Sequence, residues 1–223
     1  MGNDHSTEFL EANIRKQFET LCPTRGYLTL SDLSKLEMPE KSSIKLRHLP
    51  TLYCLDSDKT GRFSLEKFLF FLSKISTVPR PQVYCSETLL LEISRGNSDQ
   101  IANWLIVCLR ETGKIVRNES LPPFDFVHLE FLDPLYWALG TLSLGGLTLQ
   151  NLFHFLQLDA EENGLMPLSN PLLDEFVPLE TVAKFIREFL HGYLKIFADS
   201  AVFEPEKKEE SAGAGPKKVG GLA

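Results

Sequence analysis

The stretch that most constrains this chain is residues 56–67, Asp-Ser-Asp-Lys-Thr-Gly-Arg-Phe-Ser-Leu-Glu-Lys. Oxygens at alternate places, from the side chains of Asp56, Asp58, Thr60 and Ser64 and the carbonyl of Arg62, are what a loop needs to wrap a hard cation such as calcium. Gly61 permits the sharp left-handed turn in the middle. A twelve-residue loop of this kind closes with a bidentate carboxylate, yet the closing residue here is Lys67. An ammonium offers three donors and no acceptor, so the expectation is two lost oxygens and repulsion of a divalent ion. Glu66 stands one place early, and one residue on a helix is a rotation of about 100°. Lys67 therefore argues against the metal that the preceding residues invite.

The flanks define what the loop connects. Leu46, Leu49, Leu52 and Tyr53 precede it at helical spacing, and Phe68, Phe71, Leu72 and Ile75 follow in the same way. With Phe63 as the apolar residue at its eighth place, the loop resembles those of the EF-hand family. Residues 21–32 can be laid on the same template, with Gly26 sixth and Leu28 eighth, but Leu21, Pro23 and Arg25 fall where the first oxygens belong. This second copy reads as retained for pairing rather than for metal. The eighth residues of two such loops form a short antiparallel ladder that satisfies otherwise unpartnered backbone groups.

An internal repeat extends the pattern. Gly26-Tyr-Leu-Thr-Leu-Ser-Asp-Leu33 matches Gly61-Arg-Phe-Ser-Leu-Glu-Lys-Phe68 and again Gly145-Gly-Leu-Thr-Leu-Gln-Asn-Leu152. Each reads as a turn glycine, a short strand, a Ser or Thr helix cap and an amphipathic helix. Residues 159–170 offer a fourth acidic loop, with Asp159, Glu161 and Asn163 at the first ligand places and Gly164 sixth. Pro167 and Asn170, with Pro171 after them, depart from the template, so a plain acidic connection between helices is the competing reading.

The fold class expected is all-α: an N-terminal pair of hands, then a second helical lobe with degenerate hand-like turns. The divisions are a flexible N-terminus over 1–7, the paired hands over 8–76, a linker and helical segment over 77–129, the second lobe over 130–203, and a disordered tail over 204–223 rich in Glu, Lys, Gly and Ala. Pro79 and Pro81 mark residues 77–84 as a break. Residues 85–112 read as helix split near Gly96, 113–125 as loop, 126–140 as helix, and about 149–157 as a short helix. The closing helix carries a continuous apolar stripe of Leu179, Val182, Phe185, Ile186, Phe189, Leu190, Tyr193, Leu194 and Phe197.

Composition narrows function mainly by exclusion. A net charge of -7 with no basic, aromatic-interleaved stretch argues against nucleic acid as partner. No apolar run approaches the roughly 20 residues that span a bilayer. Cys22, Cys54, Cys85 and Cys108 form no CxxC pair, and the five histidines form no HxxxH pair. No P-loop, GxSxG, HExxH or dinucleotide fingerprint occurs, so the chain reads as non-enzymatic. Met1-Gly2-Asn3-Asp4-His5-Ser6 fits the pattern for myristoylation of Gly2, which would allow peripheral membrane contact for an otherwise cytoplasmic protein. The resemblance implies an adaptor or regulatory subunit that holds a peptide or amphipathic helix of another protein in an apolar groove. Its alternative is a calcium sensor or buffer with a single weak site at Asp56, Asp58, Thr60, Arg62 and Ser64.

Overall fold

The computed structural model describes residues 4–39, 44–117, 125–140, 148–165 and 175–200. Among these the chain is mostly helical, with two small antiparallel sheets. Four times a helix leads through a connection into a short strand and out into another helix. The first unit is α1 (Asp4–Leu21), β1 (Tyr27–Leu28) and α2 (Leu30–Leu33); the second is α3 (Leu49–Leu55), β2 (Phe63–Ser64) and α4 (Leu65–Ile75). After a spacer helix, α5 (Pro81–Ser94), the third comprises α6 (Ser98–Glu111), β3 (Ile115–Arg117), β4 (Asp125–His128) and α7 (Leu129–Leu139). The fourth is α8 (Leu149–Glu162), β5 (Phe176–Pro178) and α9 (Leu179–Ser200).

The units join in twos through their strands. Leu28 faces Phe63 across β1 and β2, both fully buried, so the ladder expected between the eighth residues of the two loops is present. In the second half, β4 lies between β3 and β5, with Val127 opposite Val177. Three of the helices, α2, α4 and α7, start directly after the strands because a polar cap is available at the turn. Thr29 and Asp32 form a reciprocal capping box on α2, Ser64 accepts from the Lys67 amide at the start of α4, and His128 Nδ1 accepts from the Glu130 amide on α7.

Several sequence expectations are corrected here. Pro81 does not extend the break but opens α5 at its first turn, where the missing N–H would have no intrahelical partner anyway. The loop expected over 113–125 contains β3 and the start of β4, because apolar Phe126 and Val127 have β5 to pair with, and the helix expected over 126–140 is present from Leu129 to Leu139. The short helix near 149–157 runs on to Glu162, and Gly164, at φ 69°, follows its end. Asp159 and Glu161 are thus helical rather than first ligands of a loop, and Asp159 is paired with Lys184 of α9 at 2.8 Å. Thr148 does cap α8 as expected, but Gly145 and Leu147 lie outside the described residues, as do residues 166–170.

One continuous core runs through both halves. Ile14 and Phe18 of α1, Phe68 and Phe71 of α4, Leu89 of α5, Leu105 and Cys108 of α6 and Val182, Ile186 and Leu190 of α9 all belong to it. The apolar stripe of α9 is therefore core packing over its described side chains, with Phe185 and Phe189 only partly covered. What matters for function is that α6, across the spacer from the second unit in sequence, lies directly against that unit's loop.

Candidate cation site in the second loop

Asp56 ends α3, and the next residues turn tightly enough to put Lys59 at φ 55° and Gly61 at φ 71°. This curvature points successive oxygens inward. The group that fills the space they enclose is the ammonium of Lys67. Its Nζ donates to Asp56 Oδ1 at 2.6 Å, to Thr60 Oγ1 at 2.9 Å and to the Arg62 carbonyl at 2.5 Å, and it is also paired with Asp58 Oδ1. Four oxygens share three N–H donors, so the cation is surrounded much as a metal would be, within the donor capacity of one amine.

The structure brings together the oxygens of Asp56, Asp58, Thr60 and Arg62 that the sequence aligned, and it gathers them around an ammonium. Lys67 was expected to cost the loop two oxygens and to repel a divalent ion; its own ammonium occupies the space those oxygens enclose. A lysine side chain is long and flexible enough to fold back from the first turn of α4 into the loop it terminates, whereas a carboxylate there would complete a shell from outside. The Ser64 hydroxyl caps α4 instead, accepting from the Lys67 amide at 3.3 Å. Glu66 is exposed, as its helical phase required. Among the described residues no three His, Cys, Asp or Glu side chains cluster as a metal set.

The first carboxylate is the most committed. Asp56 is 0% exposed and Lys67 13%. The second Asp56 oxygen accepts from the Gly61 amide at 2.7 Å and from the Trp104 indole N–H at 2.8 Å. A buried carboxylate needs this much compensation, because an unpaired charge in a low-dielectric interior would be too costly to retain. At Asp58, burial pushes the carboxyl up, but hydrogen bonds from Lys67 and within the loop outweigh it and hold the group down to about 2.

Helix α6 seals the loop from above. Trp104 reaches down to Asp56, and Arg62 forms a two-point ion pair with Glu111, at 2.9 Å and 3.3 Å. The backbone of α6 comes so close at Gly61 that an added Cβ would stand 3.0 Å from the Cys108 Cα. A second cation, Lys59, lies outside the cradle, 3.5 Å from the centre of the Tyr53 ring and 5.4 Å from that of Trp104, and donates to the Tyr53 carbonyl. Burial lowers the Lys59 pKa, with Asp56 opposing the shift. None of these α6 contacts could be read from the loop sequence, since they join residues 45 or more apart.

The loop of the first unit solves the same problem with the polarity reversed. Arg25, fifth in that loop, lies 2.5 Å from Asp32, which occupies the closing place. Gly2, the other site residue singled out by the sequence, lies outside the described residues. No described helix is long and apolar enough to cross a membrane. In comparisons with family models, curated proteins and solved structures, nothing matches this chain. Its function is therefore read from the geometry of the site.

Proposed function

We propose that the chain is a non-enzymatic, EF-hand-like interaction adaptor whose second loop is held in shape by its own lysine and works without calcium. The observation that carries this reading is the Lys67 ammonium among Asp56, Asp58, Thr60 and the Arg62 carbonyl. Four helix–strand–helix units joined in twos by antiparallel ladders support the family resemblance in both halves. In sensor members of that family, calcium opens a helix pair and bares apolar surface. Here the cation is covalently tethered and α6 is clamped over the loop, so the arrangement is constitutive.

A binding role is supported by apolar surface on the last two helices. Phe155 and Leu158 of α8 are exposed, Phe155 meets Phe185 of α9 edge-on at 6.5 Å, and Phe189 continues the strip 6.2 Å from Phe185. Such a strip suits an amphipathic helix or peptide of another protein. The test is a calorimetric calcium titration of the intact chain beside capture of binding proteins in calcium and in chelator. No binding heat at about 10 µM calcium, the upper end of sensor affinities, and an unchanged set of captured proteins are expected. Binding tighter than that, lost in Asp56→Ala, would overturn the proposal in favour of a calcium sensor.

A further inference from the structure

Beside the cation loop, α3 and α5 pack together and enclose a cleft of about 390 Å³ lined by Tyr53, Cys54, Lys59, Lys74, Tyr84 and Thr88, among others. Cys54 is half-buried on its wall, and Cys85, one turn before Leu89 on the buried face of α5, is hydrogen-bonded to it. We propose that Cys54 and Cys85 form a two-thiol modification site, in which Cys54 is oxidised by a hydroperoxide entering the cleft and Cys85 resolves the product as a disulfide.

Three independent features place the chemistry here rather than at the other thiols. Cys85 hydrogen-bonds Cys54, and the two thiols come from helices packed on each other, α3 and α5, so a disulfide here would join neighbouring elements. Cys54 has an open cleft beside it, whereas Cys22 and Cys108 are buried without a thiol partner. The ammonium groups of Lys59 and Lys74 line the same cleft and favour anionic or strongly polar reagents within it. The sequence offered no hint of this pair, since residues 54 and 85 are separated by the whole of the second loop and α4.

The reaction balances without a further reagent. The Cys54 sulfur attacks one peroxide oxygen, forming an S–O bond as the O–O bond breaks. The displaced oxygen takes the Cys54 proton and leaves as water, so sulfur loses the two electrons that the peroxide gains. The Cys85 sulfur then attacks the sulfenic sulfur, the S–S bond forms, the S–O bond breaks, and the hydroxyl leaves with the Cys85 proton as a second water. Two thiols and one hydrogen peroxide thus give one disulfide and two waters.

The experiment treats the reduced, full-length chain with hydrogen peroxide, blocks the remaining thiols and maps the peptides by mass spectrometry, with circular dichroism to verify that the chain is folded. The expected result is a 54–85 cross-link with a loss of about 2 Da, reversed by dithiothreitol and formed at least about tenfold faster than any oxidation of Cys22 or Cys108. In Cys85→Ser the sulfenic acid on Cys54 should instead be trapped by dimedone, and in Cys54→Ser neither cross-link nor adduct should form. Oxidation of all four cysteines at one rate, a cross-link to another partner, or no cross-link in the folded chain would each overturn the assignment.

Discussion

Replacing Lys67 should expose how much the tethered cation contributes. In Lys67→Ala, the fully buried Asp56 loses its counter-charge, and breaking a buried pair costs about 3–5 kcal/mol. Asp56 keeps two donors, the Gly61 amide and the Trp104 indole, so the lower end, about 3 kcal/mol, applies. Asp58 adds little to this sum, since its side chain is more than half exposed and water screens it. At about 2–4 °C per kcal/mol for a chain of this size, the thermal midpoint in chelator should fall by about 6–12 °C. Lys67→Glu should be at least as unstable in chelator, because a third carboxylate joins the cradle, but it also restores the bidentate ligand. With a dissociation constant of about 10 µM and about 1 mM calcium, binding returns about 2.7 kcal/mol, most of the loss. Thermal unfolding followed by circular dichroism in chelator and in calcium reads both effects. A wild-type chain stabilised by calcium as strongly as Lys67→Glu, or a Lys67→Ala chain as stable as wild type in chelator, would refute the reasoning.

Three further outcomes follow from the same geometry. Gly61→Ala and Gly26→Ala both force a side chain to a φ near 70°, costing about 1–2 kcal/mol; only at Gly61 does the new Cβ also press on the Cys108 backbone, so its unfolding free energy from urea titration should be lower by a further 1–3 kcal/mol, roughly. Trp104→Phe should cost about 1.5–3 kcal/mol in urea unfolding, the range for a hydrogen bond to a charged group, and equal stability would mean that the indole contact with Asp56 is idle. Because the folded Asp58 carboxyl is held at about 2, below its ordinary value of about 3.9, its contribution is complete above about pH 4 and is lost as pH falls toward 2. Asp58→Asn should flatten the acid limb of a stability-against-pH curve over that window, and an unchanged limb would show that the contact with Lys67 does not persist in solution.

What could be read in the sequence was what is local. The ligands at Asp56, Asp58, Thr60 and Arg62 lie within one turn of chain, and the pairing of Leu28 with Phe63 follows from their equal places in two loops. The second half was misread because glycine was taken as its marker. In the third and fourth units the residue two places before the paired valine is Asp125 or Glu175, not glycine, and the repeat at Gly145 drew attention away from both. A better marker was present: Phe63-Ser64-Leu65-Glu66, Val127-His128-Leu129-Glu130 and Val177-Pro178-Leu179-Glu180 share a strand residue, a turn residue, leucine and glutamate. The leucine opens the helix toward the core and the glutamate sits favourably at its N-terminus. The lid was illegible for a different reason, since Trp104 and Glu111 reach the loop only through tertiary packing.

The two N-terminal loops meet the same electrostatic requirement in opposite ways. Each must curve its backbone through a glycine at φ near 70°, which turns oxygens inward, and such a concentration of acceptors has to be neutralised. In the second loop the carboxylates stand at the front and the cation at the closing place; in the first, Arg25 stands at the front and Asp32 closes. A diffusing ion binds according to its concentration, and that dependence is what makes a sensor. A tethered ammonium has no such dependence, and calcium could displace it only if Lys67 gave up its oxygens and α6 released Trp104 and Arg62 from the loop. The substitution at the closing position thus exchanges responsiveness for permanence, as the constitutive adaptor proposed above requires.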